Sequence, residues 1–502
     1  MEQWQAKGWQ IEAYHSFMDI GVPCSFQQLC VLPEEGISDE DTISNLEAFL
    51  NSMAALEPTS PKPICHLLLH NRVSLWLFQT LDFCPQLNEK VELYPFTMED
   101  QWAKNVFCQP NKQAVYPHLD RERIDLQSDK VVHLVIQGLS DMGESLALHA
   151  ALTAHYPNYV RDHSLRTRIT ILDDDMDKRK NAFMQRYQQL FDHSYHRSID
   201  LNNQNMTQFH EPIYKSSRED FVDVEWEFVE GNLYHPIVQQ KIASWANDNH
   251  QLLTIALCDD QCQNNFSQAF AFPSAVYQNN IPVLVYARQA SLLDRVKTTG
   301  AFGNLYPFGM EDHGYDINLP LLQMAKRLNY CYACSFGKKS IPTHLPVDEV
   351  EKEWATLPSF RSRYSNIHNV MTLPTKMRSL GHADNDWSQF YALSKEEIEL
   401  ESTVEHNRWS IDLLLQGFRP PTDYERQLIH DNITDFITAH NNGSTPPEKD
   451  LKTEYKRKKI HYDLCSYNEL REDKTGQNVK VYDYDLTVSI PLIAQSYNES
   501  LP

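Results

Sequence analysis

An apolar, strand-like run at 131–138, VVHLVIQG, opens directly into Gly138-Leu139-Ser140-Asp141-Met142-Gly143 and then into a helical pattern over 144–155. The spacing is G-x-S-x-x-G where a dinucleotide fingerprint has G-x-G-x-x-G. Gly138 allows a sharp turn, the small Ser140 lets backbone approach a pyrophosphate, and Gly143 permits close packing of the helix. The helix N-terminus then offers N–H groups to phosphate oxygens. The next strand-like run, RITILDDD at 168–175, places Asp173 where a carboxylate accepts hydrogen bonds from a ribose, 30 residues after Gly143 against the usual spacing of about 20. NAD or another adenine nucleotide is the expected ligand. Asp174 and Asp175 would repel a 2′-phosphate and so favour NAD over NADP. Mg²⁺ on Asp173 to Asp175 is conceivable chemistry, but a strand-end acid needs no metal.

A second constellation lies near the C-terminus. Glu405, Arg408, Trp409 and Asp412 recur at i, i+3, i+4 and i+7, one helical face, while Val404, Ile411 and Leu415 supply an apolar face. Arginine beside tryptophan and His406 suits an anion with a stackable ring. The competing reading is an intrahelical Glu405–Arg408 pair under a packed Trp409. Lys459 and His461, at the end of the basic segment 451–459, could complete an anion pocket. Cys331 and Cys334 form a CxxC without a second such pair or histidines at zinc spacing, so they read as buried or free thiols. Cys258 and Cys262 flank a strand end. No nucleophile elbow or H-E-x-x-H is present, and no catalytic or metal-binding residue is assigned.

These residues need a scaffold, and the chain supplies alternating elements. Strand-like runs at 131–138, 168–175, 224–232, 252–258 and 281–287 alternate with helical patterns, which predicts a parallel sheet covered on both faces. The phrase LYPFTMED at 93–100 returns as LYPFGMED at 305–312, seven of eight positions identical, and ICHLLLHNRVSLW from Ile64 parallels IPVLVYARQASLL from Ile281. An internal repeat of a βαβ piece follows. Residues 1–63 read as an acidic helical lead-in with the proline-rich break PTSPKP. From Leu319 the strand signals fade into helices.

The segment from Val131 to Pro307 resembles the TrkA-type NAD-binding domain of potassium-uptake regulators, on the Gly138 turn, Asp173 and the phrase VEGN at 229–232; Ser140 departs from that pattern. The C-terminal segment resembles the Ryr domain, first named from ryanodine receptors and found also in bacterial proteins. Glu405-His406-x-Arg408-Trp409, Gly417-Phe418 and Lys459-x-His461-x-x-Leu464-x-x-Tyr467-x-x-Leu470 carry the likeness, with Phe418 in place of Trp and Tyr462 in place of Pro. Trp354, Arg363 to Asn366 and Lys376 to Gly381 resemble the helical region preceding that module in bacterial fusions. The resemblances imply a sensed nucleotide, a second ligand or partner, and a role in stress or phage-defence signalling.

The fold expected is α/β: a doubly wound parallel Rossmann-like sheet over 131–318, preceded by a partial βαβ repeat (64–130) and followed by a helical connector (319–392) and a mostly helical Ryr-like module (393–502). The 502 residues suit two to four domains. With 45 basic and 68 acidic residues the net charge is −23, which repels nucleic acid and anionic lipid. No run reaches the roughly 20 apolar residues of a membrane span. The first residues lack a signal-peptide pattern, and ten scattered cysteines suit a reducing compartment, so a cytoplasmic, homo-oligomeric protein is expected. Functionally this reads as a nucleotide-sensing regulatory protein. The alternatives are an NAD(P)-dependent oxidoreductase, a nucleotide-cleaving effector, or a ligand-free scaffold.

Overall fold

Eleven strands form in the described residues, most of them on short apolar runs. The computed structural model describes residues 27–33, 36–52, 62–108, 116–201, 206–214, 219–289, 291–298, 302–310, 319–337, 339–382 and 393–493, with positions 12, 13, 20 and 300 besides. They fall into two compact units, Met1–Thr97 with Ala355–Ser362, and Met98–Trp354 with Arg363–Pro502. Each is described by itself.

The smaller unit holds a parallel sheet of β1 (Gln28–Val31), β2 (Ile64–Leu68) and β3 (Glu92–Phe96), in that order, with helices Asp39–Ser52 and Arg72–Thr80 between the strands. The carboxylate of Asp39 accepts the His70 and Asn71 N–H groups at 2.8 and 3.0 Å, tying the first helix to the turn after β2. The lead-in read as purely helical therefore contains a strand. β1 escaped the sequence because QLCV is four residues long, half-buried, and without alternation.

The larger unit carries a mixed α/β arrangement built on an eight-stranded, mostly parallel sheet. Its strands are β4 (Val131–Gln137), β5 (Thr167–Asp173), β6 (Tyr195–Asp200), β7 (Met206–His210), β8 (Val224–Glu230), β9 (Gln251–Leu257), β10 (Val283–Tyr286) and β11 (Leu305–Phe308), in the order β11-β10-β9-β4-β5-β8-β6-β7. From β4 the chain passes to β5, runs out to the β6–β7 edge and returns to place β8 between β5 and β6, then crosses to the other side and builds on through β9, β10 and β11. Among the described strands of this sheet only β6 and β7 pair antiparallel, an edge hairpin that the sequence reading missed. Val135, Val229, Ile255 and Val285 of one face pack with Val238 and Ile242 of helix Pro236–Ala246. Ile136, of opposite parity, lies 3.4 Å from a Cβ built at Gly143, so helix Asp141–Thr153 covers the other face.

The repeated phrase occupies equivalent places. In β2–β3 the pairs are Cys65↔Leu93 to Leu68↔Phe96; in β10–β11 they are Val283↔Leu305 to Tyr286↔Phe308. The next backbone bond matches too, Leu69 N–H to Phe96 O at 2.8 Å and Ala287 N–H to Phe308 O at 2.9 Å. β1 pairs with β2 in the register in which β9 pairs with β10, Val31 standing where Leu257 does. The repeat thus begins at β1, upstream of 64, and the boundary between units falls after Thr97.

The C-terminal part of the larger unit is helical, centred on Lys395–Leu415. Ser394 and Glu397 close a reciprocal capping box at its start, and Gly417, at φ +81°, follows its end. This helix packs on Asp141–Thr153, Asn158–Arg161 and Gln188–Asp192 of the sheet layer, and on Lys480–Val488. No helix among the described residues is long and apolar enough to cross a membrane.

Candidate functional site

At the C-terminal end of β4 the chain turns at Gly138, whose φ of +95° lies in the region that favours glycine. A Cβ there would stand 2.9 Å from the backbone of Cys258 and Asp259, and a Cβ at Gly143 would stand 2.1 Å from the Gly138 carbonyl oxygen. Both glycines are therefore sterically required. Ser140 is the N-cap of helix Asp141–Thr153: its Oγ accepts the Gly143 N–H at 3.2 Å and donates to the Cys258 carbonyl at 2.5 Å. The hydroxyl thus turns into the protein and ties the end of β4 to the end of β9, leaving the small-residue role of the turn intact.

Asp173, at the end of β5, is buried and turned towards the same loop. Its Oδ2 accepts the Leu139 N–H at 2.8 Å and its Oδ1 the Asp175 N–H at 2.8 Å. Gly138, Ser140, Gly143 and Asp173 are thus brought together, where the ends of β4, β5 and β9 meet. Asp174, by contrast, is exposed and accepts from Asn232 at 3.0 Å. Two residues the sequence reading passed over join the site. Arg179 donates from Nη1 to the Leu139 carbonyl at 3.1 Å and from Nη2 to Asp260 Oδ2 at 3.0 Å, with its Nε 3.7 Å from Asp173. Its position in the run LysArgLys at 178–180, one helical turn beyond the strand-end acids, was the available signal.

The six C-terminal candidates divide into two groups. Glu405 and Arg408 stand in a fully buried ion network: Arg408 Nη2 to Glu405 at 2.8 Å, Arg408 Nη1 to Asp412 at 3.3 Å, Lys376 Nζ to Glu405 at 2.6 Å, and His368 Nδ1 to Asp412 at 3.0 Å. Burial alone would raise the Glu405 carboxyl, but Arg408 and Lys376 hold it down at about 2. Asp412 is likewise held well below the usual carboxylate range against burial, chiefly by His368 and Arg408. Two carboxylates, Glu405 and Asp412, thus face two fixed cations, Arg408 and Lys376, inside the protein. Of the two readings of Arg408 and Glu405, anion binding and an intrahelical pair, the arrangement seen is the pair: the guanidinium is enclosed and its partners Glu405 and Asp412 come from its own helix. The helical connector supplies Lys376 and His368.

His406 and Trp409 meet other partners. His406 places Nδ1 3.0 Å from Asp483 and Nε2 2.9 Å from the Cys465 carbonyl. Burial opposes its charge, yet Asp483 and that carbonyl outweigh it and hold the imidazole above its ordinary pKa. Half-buried Trp409 lies edge-on to His461 at 5.0 Å between ring centres, and His461 lies 5.9 Å from Phe418. Lys459, at φ +62°, sets its ammonium 4.5 Å over the Phe418 ring and donates to the Gln416 carbonyl at 3.1 Å. Burial drives His461 down to about 3, so it is a neutral aromatic wall. Trp409, Phe418, His461 and Lys459 thus make one aromatic and cationic cluster, separate from Arg408. Cys331 and Cys334 are buried free thiols.

Comparison with protein-family models, curated proteins and solved structures gave no match to this chain.

Proposed function

We propose that the protein is a nucleotide-sensing regulatory protein whose larger sheet binds NAD or another adenine nucleotide. With the inserted β6–β7 hairpin set aside, the order β8-β5-β4-β9-β10-β11 is like the 3-2-1-4-5-6 order of a doubly wound Rossmann sheet, whose ligands lie outside the carboxyl ends of the strands where the order reverses, and this likeness supports the reading. The observation that carries the reading is the Gly138–Gly143 turn at that reversal, between β4 and β9, opening a helix of 13 residues whose N-terminus favours an anion. Asp173 retains acceptor capacity beyond its two backbone N–H groups and is the residue assigned to the ribose. The aromatic cluster of Trp409, Phe418, His461 and Lys459 is assigned to a second, anionic and aromatic ligand.

Mass spectrometry of small molecules released from native protein, followed by calorimetry with the compound found, tests this. NAD at about 100 times its Kd should raise stability by roughly 2.7 kcal/mol. Gly143→Val should abolish binding, because the new side chain meets the Gly138 carbonyl; circular dichroism checks that the fold survives. Equal binding by wild type and variant would place the nucleotide elsewhere.

A further inference from the structure

The crevice outside β4, β5 and β9 is rimmed by carboxylates. Asp173 ends β5 and Asp174 and Asp175 follow it, and Asp259 and Asp260 follow β9, on a chain already at −23. Such a rim repels phosphate unless a cation stands in it, and the guanidinium that touches the glycine turn is that of Arg179. Its contacts are unequal. The bond to the Leu139 carbonyl lies inside the turn, whereas the partner Asp260 is 59% exposed and Arg179 itself 36%. An ion pair so open to water is worth less than about a fivefold shift in an equilibrium. A phosphate group, carrying more charge than a carboxylate, is a stronger partner for the same guanidinium. The helix that carries Arg179, Met176–Arg186, is pinned independently at its far end by Arg186 to Glu144 at 2.8 Å, so the Arg179 side chain can change partner without moving its helix.

We propose that Arg179 is the phosphate-binding side chain of this crevice and that Asp260 holds it in reserve, so that the diphosphate of a nucleoside diphosphate or dinucleotide displaces Asp260 from Nη2. The inference rests on the nucleotide reading of the Gly138–Gly143 turn. It adds a residue that selects for phosphate and a loop, after β9, that is released when ligand enters.

Calorimetry on the full chain with NAD and with ADP tests it. Arg179→Gln should weaken both by about ten- to a hundredfold, the loss of a charge-assisted bond. Asp260→Asn, which removes only the exposed competitor, should tighten both by about two- to fivefold. Wild-type affinity in Arg179→Gln would overturn the assignment of Arg179 while leaving the site reading intact. Should that variant unfold, Asp260→Asn decides alone: affinity equal to or weaker than wild type overturns the competition. No binding of either ligand to wild type would overturn the site reading and this inference together.

Discussion

Glu401 shows what burial does to a single residue. It lies fully inside helix Lys395–Leu415, with one carboxyl oxygen accepting the Ser379 hydroxyl at 2.7 Å and the other buried without a partner. Burial is the main cause that pushes it from 4.5 up to about 7, although Ser379 and Lys376 pull the other way. Because the folded value lies above the ordinary one, the proton is bound more tightly in the folded state. That contribution is fully present below about pH 4.5 and is lost as pH rises through about 7. Glu401→Gln keeps the shape and removes the titration. Relative to wild type it should gain on the order of 3 kcal/mol between pH 5 and pH 8, at 1.36 kcal/mol per unit. Urea unfolding at both pH values measures the difference, and parallel pH slopes for the two proteins would refute it. In the sequence, Glu401 is one more acid on a charged helix, since only packing makes it interior.

At the scale of elements, helix Lys395–Leu415 is joined to helices Phe360–Met371 and Leu373–Ser379 through Arg408, Asp412, Glu405, His368 and Lys376. Arg408→Ala would leave Glu405 and Asp412 short of a buried counter-charge, which typically costs 3–5 kcal/mol. A denaturant midpoint lowered accordingly is the expected outcome; a variant of native stability would return Arg408 to the ligand-binding residues. The Glu405–Arg408 spacing was readable in the sequence because i, i+3 and i, i+4 neighbours meet on any helix. Lys376, 29 residues before Glu405, was not placed beside it by any local rule. The strand runs β4, β5, β8 and β9 were legible as apolar stretches, whereas β1 and the β6–β7 hairpin were not. Their half-exposed, mixed residues carry no continuous apolar signal.

Across the larger unit, the helix that begins at the glycine turn also reaches the C-terminal module. His149 in its third turn holds Asp100 at 2.9 Å and stands edge-on to His368 at 6.5 Å between ring centres, and His368 holds Asp412. If nucleotide at Gly138–Gly143 and the aromatic cluster are coupled through this packing, saturating NAD should slow amide exchange in Lys395–Leu415, by about 1–3 kcal/mol of added protection. Slowing confined to Asp141–Thr153 would mean two independent modules. The apolar runs, each copy of the LYPF phrase, the spacing of the turn glycines and the helix caps are written in a few consecutive residues, so the sequence alone shows them. Which distant polar groups meet is another matter. Arg179 with Asp260, Ser140 with Cys258, and Lys376 with Glu405 are 81, 118 and 29 residues apart. Their meeting follows from strand order and helix packing, long-range arrangements that no local pattern of side chains specifies, and so the glycine turn could be read from the chain while its arginine could not.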